Sequence, residues 1–322
     1  MAAPTRAYSS SSSSPSQRPP LLPRKFPSSG FEIIDPSIKV EEENLPFYDP
    51  KIFYPARIGQ VIHDRYQVVA KLGYGTTATT WLCHDLVHHH YVTLKIHVNL
   101  LPHVREVDIL RYLKTFDSEH EGRNHIRMVD DAFRIEGPHG THEVLVLPPM
   151  SLSLRALQEK MPTGVFDVEL AKAALPQVLL ALDFLHGVAN IDVHAGNLLV
   201  GISDDSYLEH FAEAELTRPS ARKQVSDELT IHDSQLLMAG HGPLYLCDFG
   251  EARIGDEHKG VAMPIQHRAP EILLDVDWDW AIDMWSVGLL AWNLLEPKPL
   301  FTIYDADNKE LNEAHHLVNR SC

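Results

Sequence analysis

The spacing of apolar residues changes part-way along this chain, and the change divides it in two. Over residues 66–72, 80–84 and 91–96, short β-branched and aromatic runs alternate with glycine-rich or polar turns, the pattern of antiparallel strands. Val104, Val107, Leu110 and Leu113, with Ile109 beside them, then recur at helical spacing, so a helix follows the strands. Two more apolar runs, 126–133 and 143–147, predict strands before helical periodicity takes over from Leu152. Leu175, Val178, Leu179, Leu182 and Leu185 mark one stripe; Ile282, Trp285, Leu289, Trp292 and Leu295 mark another. The expected fold class is α+β: a small antiparallel sheet lobe with one helix, followed by a larger and mostly helical lobe.

Composition narrows the class of partner. Of 322 residues 44% are apolar, enough for a substantial core, and the net charge of -16 disfavours a nucleic-acid groove or an anionic membrane surface. Cationic substrates suit it better. Cys83, Cys247 and Cys322 are far apart and lack C-x-x-C spacing, so neither a disulfide framework nor a zinc site is expected, and a reducing compartment fits. The apolar run 178–185 is broken by Asp183, and nothing approaches the roughly 20 residues that cross a bilayer.

Residues 1–31 hold a serine run, six prolines, four basic side chains and no carboxylate. Such a segment cannot bury enough apolar area to order itself, so it is expected to be disordered, with a mitochondrial targeting peptide as the other reading. Residues 32–65 mix prolines, Glu41 to Glu43 and aromatics, and read as an extended arm packing on a domain.

The residues that carry chemistry are spread along both halves. Leu72-Gly73-Tyr74-Gly75 sits between two predicted strands, where glycines let backbone N–H groups approach phosphate oxygens; by itself this is also an ordinary turn. Lys95 lies within an apolar strand, and Glu106 on the next helix is able to pair with it. Asp192 and Asn197 stand five positions apart, Asp248-Phe249-Gly250 follows an apolar strand, and Ala269-Pro270-Glu271 precedes a helix. A dinucleotide fold would instead need strand, glycine turn and helix in succession.

In their order these motifs resemble the signature set of the protein kinases, over residues 66–301. The resemblance implies a two-lobed, kinase-like fold that binds ATP and Mg²⁺ in the cleft between the lobes: residues 66–150 as the sheet lobe and hinge, residues 151–322 as an incomplete helical lobe with an insertion at about 203–240. Gly73 and Gly75, with Leu72, would cover the phosphates; Lys95 would hold them and Glu106 would orient Lys95. Asp248 and Asn197 would take Mg²⁺, and Asp192 would accept the proton of the substrate hydroxyl. At the hinge, the Pro148 carbonyl and the Met150 N–H would receive the adenine edge; a proline keeps its acceptor and lacks a donor.

The 50 residues between Asn197 and Asp248, with Trp81-Leu82 and Asp183 to His186, resemble fungal kinases of the serine/arginine-rich protein kinase type. That implies a protein serine/threonine kinase acting on Arg-Ser-rich proteins as a monomer in the cytoplasm or nucleus, without direct nucleic-acid or membrane binding. No Ser, Thr or Tyr lies between Glu251 and Arg268, so the loop there offers no phosphorylation site. Three departures stand against full activity. His194 replaces the usual lysine, about three residues are missing before Asp192 together with the histidine that would pack on Phe249, and Glu271 lacks the arginine of later helices. A shift of about 1 Å at a catalytic group costs on the order of a hundredfold in rate, which keeps a second expectation open: an impaired pseudokinase serving as an ATP-binding scaffold.

Overall fold

The computed structural model describes residues 19–100, 103–189, 191–192, 197–238 and 242–301. Strands β1 (Val61–Ile62), β2 (Tyr66–Tyr74), β3 (Ala78–Asp85) and β4 (His90–His97) lead into helix α1 (Arg105–Lys114), and β5 (Asp131–Gly137) and β6 (Gly140–Leu147) complete the first lobe. The six strands form one antiparallel sheet in the order β1-β2-β3-β4-β6-β5.

Alternation within each strand decides what faces what. Trp81 and Cys83 on β3 and Val92, Leu94 and Ile96 on β4 pack with Val144 and Val146 on one face, under Ala56 and Tyr54 of the arm. Lys95 and His97 occupy the intervening positions of β4 and so point to the face that α1 covers. Helix α1 buries Val107, Leu110 and Leu113 in the main core and shares that core with the second lobe.

The second lobe contains β7 (Met150–Ser153), α2 (Leu154–Glu159), α3 (Val168–Phe184), β8 (Ile191–Asp192), β9 (Leu198–Gly201), α4 (Ser206–Thr217), β10 (Arg222–Gln224), β11 (Thr230–His232), β12 (Leu244–Leu246), β13 (Arg253–Ile254), α5 (Pro270–Leu273) and α6 (Ala281–Leu295). Ser153 accepts a hydrogen bond from the Ala156 N–H and Asp167 one from the Leu170 N–H, so α2 and α3 both start on side-chain caps. Helix α3 runs through the core. It buries Ala171, Ala174, Val178, Ala181 and Leu182, whereas Leu179, expected on its apolar stripe, is 41% exposed. Three small alanines allow a close approach, and the buried face turns toward them. On α6, Ile282 and Leu289 are buried, but Trp292 and Leu295 remain partly exposed.

Two other expectations are corrected. The run 126–133 is a strand only from Asp131, because Ile126 bridges to Leu246 and the Arg127 N–H donates to the Leu246 carbonyl (3.0 Å), which ties this stretch to the second lobe. Residues 19–31, expected to be disordered, lie against the sheet; residues 1–18 are outside the described part. The Leu21 N–H donates to Leu86 (2.7 Å), Gln67 exchanges two hydrogen bonds with the Arg24 backbone (2.8 and 2.7 Å), and the Arg24 guanidinium pairs with Glu209 and Glu213 of α4. The segment lacks a core of its own and borrows distant polar partners.

The insertion also crosses between lobes. Leu208 and Ala212 of α4 pack on Val69, Ala70 and Leu82 of the sheet, and Tyr91 donates its hydroxyl to Glu209 (2.6 Å). Farther along, the Gln235 N–H donates to the Lys71 carbonyl (2.8 Å), and the Ser151 hydroxyl donates to the Leu237 carbonyl (2.9 Å). The arm adds ion pairs: buried Lys71 pairs with Glu42 and with Glu41 (3.3 Å), and Lys223 pairs with Glu43 (2.8 Å). Among the described residues no helix is long and apolar enough to cross a membrane.

Candidate active site

A cleft of about 1790 Å³ opens between the lobes, and Leu72, Gly73, Gly75, Lys95, Glu106, Met150, Asn197 and Asp248 all line it. Each reaches it for a local reason. Gly73 and Gly75 lie at the β2–β3 turn, where the Gly75 N–H donates to the Ala78 carbonyl (2.8 Å). A Cβ on Gly75 would meet nothing of the protein nearer than the Ala78 oxygen at 4.0 Å. The hairpin's own packing therefore does not demand glycine, and the space left open belongs to the cleft.

Lys95 meets both acidic partners named from the sequence. Its ammonium lies 2.6 Å from Glu106 on α1 and 3.4 Å from Asp248. Burial works against the Lys95 charge, but the carboxylates of Glu106 and Asp248 outweigh it and hold its pKa above the ordinary value. Glu106 is desolvated as well, yet the Lys95 charge and the hydrogen bonds from His97 and Lys95 pull its pKa from 4.5 to about 2. His97, two residues beyond Lys95 on the same strand face, approaches Glu106 at 3.1 Å. The sequence reading missed it, although the period of two and the burial of the strand would have found it.

This pair predicts part of the acid response. A carboxylate whose pKa is depressed on folding contributes stability that is complete above its unfolded pKa, here 4.5, and is lost as the pH falls toward its folded value of about 2. The contribution is roughly 3 kcal/mol. Glu106→Gln should therefore lose its stability deficit relative to wild type across that window in urea titrations. A deficit that stays constant from pH 5 to about 2 would refute the assignment.

Asp248 sits at φ 62°, the left-handed region, and its carboxylate is 53% exposed toward the cleft. Non-glycine residues rarely adopt that conformation, and it persists where surrounding structure holds it. Here Phe249, 1% exposed, is locked into the main core, while Cys247 on the other side donates its N–H to the Asn197 carbonyl (2.9 Å). That bond sets Asn197 beside Asp248. Burial pushes the Cys247 thiol up to about 12, so it is a packing group and not a nucleophile.

The hinge, residues 147–150, differs from the expectation in one respect. Met150 lines the cleft, but the Pro148 carbonyl already accepts hydrogen bonds from Arg127 Nε (3.0 Å) and Nη2 (2.7 Å). Arg127 was not singled out from the sequence, although a cation between Ile126 and Met128 in an apolar run was a visible signal.

Asp192 is placed by its backbone: the chain leaves α3 through a π turn, Leu185–Ala189, and β8 pairs with β13 so that Asp192 lies opposite Arg253. Its side chain, like all of His194, is outside the described part of the structure. His186 pairs with the buried Asp283 of α6 at 2.8 Å, which anchors the start of that turn. The Oε2 of Glu271 has no hydrogen-bond partner among the described residues.

The segment from Glu251 to Arg268 is held by packing and backbone bonds. His258 and Trp278 exchange backbone hydrogen bonds (2.8 and 3.0 Å), the Trp278 indole donates to Gly260 (3.0 Å), and Ala262 and Met263 are buried with Ile272 and Ile282.

Among the described residues no cluster of three or more His, Cys, Asp or Glu could hold a metal ion. Asp248 and Asn197 instead supply a partial oxygen set, which suits Mg²⁺, an ion bound through one or two protein groups and completed by phosphate and water. The open glycine turn, the paired ammonium and this partial set together fit a magnesium-bound triphosphate.

Comparison with known proteins adds an independent line. The family model described as the protein kinase domain matches residues 66–321. The chain is 38% identical to a serine/threonine protein kinase of Aspergillus fumigatus, over 93% of this chain and 75% of that one. It is 27% identical to the serine/threonine-protein kinase SRPK of Physarum polycephalum, over 85% of this chain and 70% of that protein. With SRSF protein kinase 3 of Mus musculus it shares 32% identity over 58% of this chain and 35% of that one. A crystal structure of the kinase domain PF14_0431 superposes with a TM-score of 0.60 at 23% identity, covering 80% of this chain and 72% of that one.

Proposed function

Because this chain belongs to the protein kinase domain family, with serine/threonine kinases among its relatives, we propose that it transfers the γ-phosphoryl group of ATP to serine or threonine hydroxyls in Arg-Ser-rich protein segments. One observation carries the reading: in a single cleft the Lys95 ammonium lies 2.6 Å from Glu106 and 3.4 Å from Asp248, which is 153 positions away in sequence.

ATP supplies the transferable phosphoryl group, and Mg²⁺ neutralises its charge. Lys95, held by Glu106, binds phosphate oxygens, and Gly73 and Gly75 let the backbone close over them beside Leu72. Asp248 and Asn197 would hold the cation, and the Met150 N–H would meet the base. Asp192 would orient the acceptor hydroxyl and take its proton as the oxygen attacks the γ-phosphorus and the bond to the bridging β-phosphate oxygen breaks, with ADP as the leaving group.

For the substrate, the support is the net charge of -16 and the two relatives named for serine/arginine-rich protein kinases or SRSF proteins. A cationic Arg-Ser peptide is drawn to such a surface. The segment from Glu251 to Arg268 carries no phosphate acceptor and is already packed, so activity needs no phosphorylation there. The comparisons lend no support to a scaffold without catalysis.

The test is transfer of labelled γ-phosphate to an Arg-Ser repeat peptide. Wild type should label serine, and Asp192→Ala should reduce labelling by about 10²- to 10⁴-fold. ATP binding by wild type without any transfer would overturn the proposal and restore the scaffold reading.

A further inference from the structure

Arg127 is a buried charged group of the cleft that the proposed chemistry leaves unused. Its backbone N–H is fixed to Leu246 (3.0 Å), and its side chain runs to the hinge, where Nε and Nη2 both donate to the Pro148 carbonyl. The residue is only 9% exposed, yet it lines the cleft beside Leu147 and Met150. Among the described residues no carboxylate forms an ion pair with it, and Glu106 and Asp130 favour its charge only from farther away. Burial lowers the guanidinium pKa, but an arginine starts so high that it stays charged at neutral pH. A buried cation with no carboxylate in direct contact gains from an acceptor that enters the site.

A hinge that reads adenine presents an acceptor carbonyl to the 6-amino group and, two residues on, an N–H to ring nitrogen N1. In this hinge the acceptor is shared with a cation, and Pro149 contributes no donor. The guanidinium's remaining N–H groups stand beside that same carbonyl. The wall therefore offers donors where a 6-oxopurine carries its oxygen, and the carbonyl keeps a second lone pair for that base's N1–H.

Resting on the reading of this cleft as a nucleotide site, we propose that Arg127 broadens its base specificity, so that guanosine triphosphate is accepted alongside adenosine triphosphate. Selectivity between the two purines ordinarily comes from leaving a buried polar group mispaired. Arg127 removes that mismatch for the 6-oxo base and weakens the match for the 6-amino base.

The experiment is displacement of a fluorescent nucleotide from the full chain by MgATP and by MgGTP, in wild type, Arg127→Leu, Arg127→Gln and Lys95→Met. In wild type the two dissociation constants should lie within about tenfold, and both Arg127 variants should raise the ratio Kd(GTP)/Kd(ATP) by about tenfold or more. Lys95→Met should weaken both nucleotides and leave the ratio unchanged. A wild-type preference for ATP above about a hundredfold, or a ratio indifferent to Arg127, overturns the inference while the site reading stands. Failure of either nucleotide to bind, or binding indifferent to Lys95, overturns the site reading and this inference with it. Thermal melting accompanies each variant; Arg127→Gln, which keeps a donor toward Pro148, carries the comparison should Arg127→Leu not fold.

Discussion

Asp248→Asn should lower the rate of phosphoryl transfer by at least about a thousandfold while the protein stays folded. The carboxylate is the group that faces both Lys95 and the cleft, and an amide cannot supply its charge to a bound cation. Asparagine is the right replacement because Asp248 holds φ 62°, a conformation that asparagine tolerates and alanine resists. The side chain is more than half exposed and its bonds to Lys95 and to the Gly250 N–H are long, at 3.4 Å each, so stability should change by less than about 1 kcal/mol. Single-turnover transfer and a urea melt on the same preparation separate the two effects. Residual transfer within tenfold of wild type would show that Asp248 is not the cation's ligand.

The largest loss of stability is expected at Lys71, on the strand that leads into the glycine turn. Its side chain is fully buried on β2, pairs with Glu41 and Glu42 of the arm, and stacks near the Tyr74 ring at 5.3 Å. Lys71→Met keeps the apolar stem and removes the charge. Two nearly buried carboxylates are then left without their cation, a change that typically costs about 3–5 kcal/mol. Adding Glu42→Gln to Lys71→Met should recover part of the loss, since the pair is worth less than the penalty of breaking it. Urea midpoints at constant m-value report both steps. A loss under about 1 kcal/mol for the single variant would mean that water reaches the carboxylates and that the arm is loosely held.

Lys95 and Glu106 were legible because both positions follow from local periods: alternation puts Lys95 on the helix-facing side of β4, and Glu106 stands in the first turn of α1. Asp248 was legible from the motif around it. What stayed hidden depends on partners distant in sequence. Nothing in residues 19–31 announces that Gln67 will bond the Arg24 backbone, and nothing in the composition of α4 says that its apolar side covers the sheet of the other lobe. Leu179 was misplaced for a related reason. Spacing identifies an apolar stripe but not how far three alanines let a neighbour rotate it. Arg127 escaped because its role depends on the Pro148 carbonyl, 21 positions away.

The passage of the insertion beside the hinge has a mechanical consequence. Ser151 and Leu237 fasten the returning chain to β7, and Gln235 fastens it to β2, so two strands of polypeptide span the joint where one would suffice for connectivity. A single connector acts as a swivel; two side by side act as a door hinge, yielding to opening about their common line and resisting torsion. The cleft would then open by a swing of the upper half about that line, with residues 147–150 keeping their register throughout.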